Sequence, residues 1–130
     1  MGSRVSCHHF GFGSEEDIDR LEALLEAESN KNPGCPPIAY LATELLTNPL
    51  LNSPNLRRLR ALADKYDFLI VIDQTIGNFV NVEVMPYADV VVSSLSKVFS
   101  GYANVMGGRS VGCDYCYVHM HGLTFGIALS

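Results

Sequence analysis

Two apolar runs constrain this chain more than anything else in it. One covers residues 68–73, Phe-Leu-Ile-Val-Ile closed by Asp73; the other covers 89–94, where Asp89 leads Val-Val-Val into Ser93 and Ser94. Neither alternates apolar with polar residues, so neither reads as a strand with one wet face. Continuous runs of this length fit the buried strands of a parallel sheet. A third run, residues 38–45, is apolar enough to be read as a strand buried on both sides.

Helices fall before and between these runs. Ser14 is placed to cap a helix whose first turn holds Glu15, Glu16 and Asp17, with Ile18, Leu21, Leu24 and Leu25 on one face. The Asn- and Pro-rich stretch 30–37 stops it. A second helix is predicted from Ser53 as cap with Pro54 in the first turn, turning Leu56, Leu59, Leu62, Ala63 and Tyr66 inward. Residues 77–88 form a connector without a period, and residues 104–111 are a candidate fourth strand. Helices alternating with continuous apolar strands define an α/β protein with a mainly parallel sheet and flanking helices.

At 130 residues the chain suits one modest domain. Its 48% hydrophobic and 18% charged content argues for a folded chain. A net charge of −5 without a basic run argues against a nucleic-acid surface. With no signal-peptide pattern and no apolar span of bilayer length, the expectation is a cytoplasmic protein with reduced cysteines and no membrane contact. After Arg109 the composition changes and no period is legible, so residues 1–109 are read as the domain and 110–130 as a divergent tail.

In parallel sheets ligands gather beyond the carboxyl ends of the strands. Asn48 follows the first strand, Asp73 closes the second, and Ser94, Ser96 and Lys97 follow the third. Pyridoxal phosphate needs such a set: an amine for its aldehyde, a carboxylate for its pyridine nitrogen, and hydroxyl and backbone donors for its phosphate. The residues by themselves leave a plainer reading open, because a strand-end Asp is commonly a turn residue and a single Lys commonly a solvated one.

The segments Asp73-Gln74-Thr75, Ser94-Leu95-Ser96-Lys97, Gly101 and Val105-Met106-Gly107-Gly108 resemble the cofactor centre of the Cys/Met-metabolism family of pyridoxal-phosphate enzymes. Upstream, Glu44 and Asn48-Pro49 resemble that family's Glu-x-x-x-Asn-Pro stretch. The similarity is greatest to the cystathionine gamma-synthase branch in its fungal form, and extends roughly over residues 7–109. It implies an aminotransferase-like fold, of which this chain would be a partial large domain. It also implies a cofactor, pyridoxal 5'-phosphate, with Lys97 as Schiff-base lysine and proton carrier and Asp73 on the pyridine nitrogen. Asn48 would contact the phenolic oxygen, Ser94 and Ser96 the phosphate, and Thr75 would lie close to the ring. Amino-acid substrates, gamma-replacement on an activated homoserine by cysteine, and homo-oligomers are further implications; a non-catalytic or docking remnant is the alternative.

Family members are much longer. The glycine loop and ring-stacking aromatic expected before Ser3, and the domain with the carboxylate-binding arginine expected after Arg109, have no counterpart here. The expectation is a central fragment of reduced or no activity. Cys113, Cys116, His119 and His121 resemble zinc ligands, but structural zinc sites separate their ligand pairs by a longer loop, so no metal is expected.

Overall fold

Ser14 opens the first element as its neighbours dictate. In the computed structural model, which describes residues 7–11, 13–46, 53–77, 82–97 and the backbone of 108–112, helix α1 runs Glu15–Lys31. Ser14 Oγ accepts from the Asp17 amide at 3.3 Å, and Ile18, Leu21 and Leu25 are buried while Leu24 is half-buried. Strand β1 follows at Tyr40–Glu44, then helix α2 at Leu56–Tyr66 and strand β2 at Leu69–Asp73. A short 3-10 turn, Met85–Tyr87, lies in the connector that shows no period in the sequence, before strand β3 at Val90–Ser94. Strand β4 is Gly108–Gly112, a few residues beyond the start of the candidate segment and across the compositional break after Arg109.

The sheet order is β1-β2-β3-β4. The first three strands are parallel, with Tyr40 opposite Leu69 and Val71 opposite Val90, and β4 joins antiparallel with Ser94 opposite Gly108. One core holds Ile18, Leu21 and Leu25 of α1, Leu59, Leu62 and Ala63 of α2, and Ile70, Ile72 and Val91 of the sheet. Both helices therefore cover the same face. Fully burying a side chain such as Leu25 or Ile72 contributes roughly 1.5–3 kcal/mol.

The opposite face corrects two expectations. Ala42 and Glu44 of β1 are exposed, and Leu69 of β2 is 45% exposed. β1 is the sheet's edge, and among the described residues no helix lies over that second face, so an apolar run alone does not bury both sides.

The cap of α2 is a third correction. It is Asn55, whose Oδ1 accepts from the Arg58 amide at 3.2 Å, and not Ser53, whose hydroxyl donates to the Pro54 carbonyl at 3.4 Å. Pro54 lies outside the helix, against a residue far away in the sequence. Gly13, at φ +61°, comes so close that a Cβ there would lie 3.3 Å from Pro54 Cβ. Asn55 Nδ2 then donates to Glu15 Oε1 at 3.1 Å, joining the starts of the two helices.

Arg58 extends that junction to Glu15 (2.8 Å), Asp19 and Glu22 (3.2 Å). The Arg58 guanidinium, with help from Asn55, holds the Glu15 carboxyl below the usual carboxylate range. A carboxyl lowered on folding stabilises the fold above its unfolded pKa, and that contribution is lost as pH falls through the folded value. Glu15 is exposed, so the effect is small. Glu15→Gln is expected to lower the urea midpoint slightly near neutral pH and to converge on the parent chain at acid pH, below the lowered Glu15 pKa. Equal midpoints across the pH range would show the ion pair to be idle.

Candidate functional site at the strand ends

The carboxyl ends of β2 and β3 are tied side by side. The ladder runs one step past the strand, from the Gln74 amide to the Val92 carbonyl at 2.9 Å. Asp73 is half-buried and folds back on its own chain: its Oδ1 accepts from the Thr75 amide at 2.9 Å and from Thr75 Oγ1 at 2.6 Å. Thr75 Oγ1 in turn accepts from the Ser94 amide at 2.9 Å. Asp73, Thr75 and Ser94, which the sequence singles out separately, thus form one hydrogen-bonded unit. Among the described residues all hydrogen bonds to the Asp73 carboxylate arrive at Oδ1, leaving Oδ2 to an incoming donor.

Past Ser94 the chain turns helical at residues 95–97, with Ser96 half-buried and Lys97 exposed. Among the described residues Lys97 enters no ion pair, so its amine is accessible to a ligand. Asn48 lies outside the described residues, as do Gly101, the Val105–Gly107 segment and the Cys113, Cys116, His119, His121 set. Among the described residues no group of three or more His, Cys, Asp or Glu side chains is arranged to hold a metal ion.

Alternation along the strands sorts the serines. Ser94 shares a face with Val92, while Ser93 shares one with the core residue Val91 and is 5% exposed. Ser93 therefore belongs to the helix side of the sheet, where its hydroxyl has no hydrogen-bond partner among the described residues.

Gln74 is a residue that sequence reasoning missed. It is 2% exposed and lies on the face of Ile70 and Ile72, with Nε2 donating to the Val82 carbonyl at 2.6 Å. A Cβ at Gly77 would lie 3.1 Å from Gln74 Cγ and 3.1 Å from Leu45 Cδ2, so the segment after Thr75 is folded tightly onto the core. The period-2 pattern of β2, continued one step, was the signal that could have found it.

The model of the Cys/Met metabolism PLP-dependent enzyme family matches residues 21–125, past the Arg109 limit of the sequence resemblance. The chain is 67% identical over 105 residues to a cystathionine gamma-synthase-like enzyme of Amanita muscaria, a match covering 81% of this chain and 17% of that protein. It is 50% identical over 104 residues to the cystathionine gamma-synthase of Neurospora crassa, covering 78% of this chain and 15% of the relative. A methionine gamma lyase from Micromonospora echinospora shares the fold, with a TM-score of 0.58 and 26% identity over 78% of this chain and 26% of that one. Relatives of lower identity carry names of other reactions, alanine racemase among them.

The chain belongs to the Cys/Met-metabolism family of pyridoxal-phosphate-dependent enzymes, and its sheet is the α/β architecture of that family. It spans about a sixth of the length of the curated relatives it matches.

Proposed function

We propose that this chain carries the central part of a pyridoxal 5'-phosphate site of cystathionine gamma-synthase type, working on amino-acid substrates by gamma-replacement between an activated homoserine and cysteine. The observation that carries the reading is the Asp73–Thr75–Ser94 unit, a half-buried carboxylate with one oxygen tied down beside a hydroxyl-bearing strand end that leads to an accessible lysine. The donor set fits the cofactor's needs for a carboxylate, an amine and hydroxyls.

In this reading Asp73 binds the ring nitrogen and keeps it protonated, and Ser94 and Ser96 hold the phosphate with their hydroxyls. Lys97 holds the aldehyde carbon and moves protons at its Nζ, Thr75 stands beside the ring, and Asn48 contacts the phenolic oxygen. The cofactor, when bound, supplies a sink for the negative charge left on the substrate carbon. The reaction type is supported by the 50% identity to the cystathionine gamma-synthase of Neurospora crassa, above the 43% to a relative named alanine racemase. Methionine biosynthesis and a cytoplasmic setting belong to the same reading; Cys7 and Cys35, both free, suit a reducing compartment. Among the described residues no helix is long and apolar enough to cross a membrane.

A second reading, a fragment that docks on another chain without binding cofactor, is favoured by the edge position of β1 and the 45% exposure of Leu69. One titration separates the two. Pyridoxal 5'-phosphate added to the chain is expected to develop a visible absorption band; with no band, the docking reading replaces the first. Asp73→Asn is expected to keep uptake within about tenfold while shifting the ring-nitrogen ¹⁵N resonance of labelled cofactor toward its unprotonated position, because the charge is lost and the shape kept. An unchanged resonance would reduce Asp73 to a turn residue.

A further inference from the structure

Beside a ring, Thr75 would be one contact among several, but its hydrogen bonds point to another task. Its Oγ1 accepts from the Ser94 amide at 2.9 Å, which leaves the hydroxyl proton for Asp73 Oδ1 at 2.6 Å. The Thr75 amide donates to the same oxygen at 2.9 Å. Two donors from one residue thus satisfy the two lone pairs of Oδ1, and the shorter bond has the length of a charge-assisted one. A carboxylate gripped in this way cannot turn without breaking both bonds, so Oδ2 keeps one direction.

We infer that Thr75 is a positioning residue, which clamps Oδ1 of Asp73, presents Oδ2 to a protonated ring nitrogen, and acts on that ligand only through Asp73. The Ser94 amide completes the clamp by fixing the hydroxyl rotor and by coupling the end of β3 to the end of β2. The carboxylate and the segment leading to Lys97 then keep one mutual arrangement, the preorganisation that a site of paired charges requires. The inference rests on the proposed role of Asp73 and assigns to Thr75 a task different from ring contact.

The test begins on the chain without cofactor. Side-chain couplings measured by NMR should show one χ1 rotamer for Asp73 in the parent and in Thr75→Ser, and averaging in Thr75→Val. The Ser94 amide should exchange about tenfold faster in Thr75→Val and at the parent rate in Thr75→Ser. Thr75→Ala replaces the valine variant if the latter does not fold. With ¹⁵N-labelled pyridoxal 5'-phosphate bound, Thr75→Val should move the ring-nitrogen resonance toward its unprotonated position, Thr75→Ser should leave it in place, and adding Thr75→Val to Asp73→Asn should move it no further. An unchanged Asp73 rotamer in Thr75→Val, or an added shift in the double variant, overturns the inference. A parent chain that takes up no pyridoxal phosphate defeats the proposed function instead, and the rotamer measurement still decides the clamp.

Discussion

Borohydride reduction of the chain with pyridoxal 5'-phosphate is expected to leave the label on Lys97, and Lys97→Ala is expected to lose essentially all of it. The chain has three lysines, and their surroundings differ. Lys31 closes α1 and is paired with Glu28 at 2.6 Å. Lys65 lies 4.8 Å from the centre of the Tyr66 ring and 3.8 Å from Glu22, and its interaction with the Tyr66 hydroxyl holds its pKa above the ordinary lysine value. A raised pKa leaves less neutral amine to attack an aldehyde. Lys97 is exposed, enters no ion pair among the described residues, and follows the hydroxyl-bearing end of β3. Peptide mapping reads the outcome directly: label on Lys31 or Lys65, or full labelling of Lys97→Ala, would remove Lys97 from the site.

Asp89→Ala is expected to destabilise the fold by about 2–3 kcal/mol. Asp89 Oδ2 accepts from the Ile70 amide at 2.7 Å and from Arg60 at 2.9 Å, while the Asp89 amide donates to the Ile70 carbonyl at 2.9 Å. Ile70 is fully buried, and the Asp89 and Arg60 side chains are 27% and 22% exposed. Removing the carboxylate leaves a buried amide without its acceptor and, among the described residues, leaves Arg60 with Asp64, a far more exposed partner. Urea denaturation gives the comparison, with Asp89→Asn falling between the alanine variant and the parent. A loss under about 0.5 kcal/mol would mean that water replaces the carboxylate.

Those two residues also mark what a sequence can disclose. Lys97 could be proposed from the sequence because its neighbours in the chain, Ser94 and Ser96, are its context. Asp89 passed as the first residue of a strand, because its partners Ile70 and Arg60 lie 19 and 29 positions away. The same division runs through the fold. Periodicity marked the buried faces of α1 and α2, and unbroken apolar runs marked β2 and β3. The cap of α2 was misplaced at Ser53 because the local pattern shows neither the Asn55 side-chain cap nor the approach of Gly13, far upstream, to Pro54. Asp73 and Ser94 could be chosen from their strand-end positions and Thr75 from the family resemblance, yet the bond from Ser94 to Thr75 exists only once β2 and β3 are adjacent. The exposure of β1 followed from its place at the edge of the sheet, which residues 38–45 do not encode.

Because both helices lie on one face of the sheet, residue parity along β2 separates two kinds of work. Even positions, Ile70, Ile72 and Gln74, support the fold; the odd positions Asp73 and Thr75 carry groups of the proposed site. Substitutions of one parity can alter the affinity or electronics of the site with little effect on the core, and those of the other can loosen the core with the ligand groups untouched. The two properties are open to independent adjustment by single replacements. They are jointly vulnerable to a single inserted or deleted residue within β2, which would turn the carboxylate into the core and a core isoleucine toward the ligand.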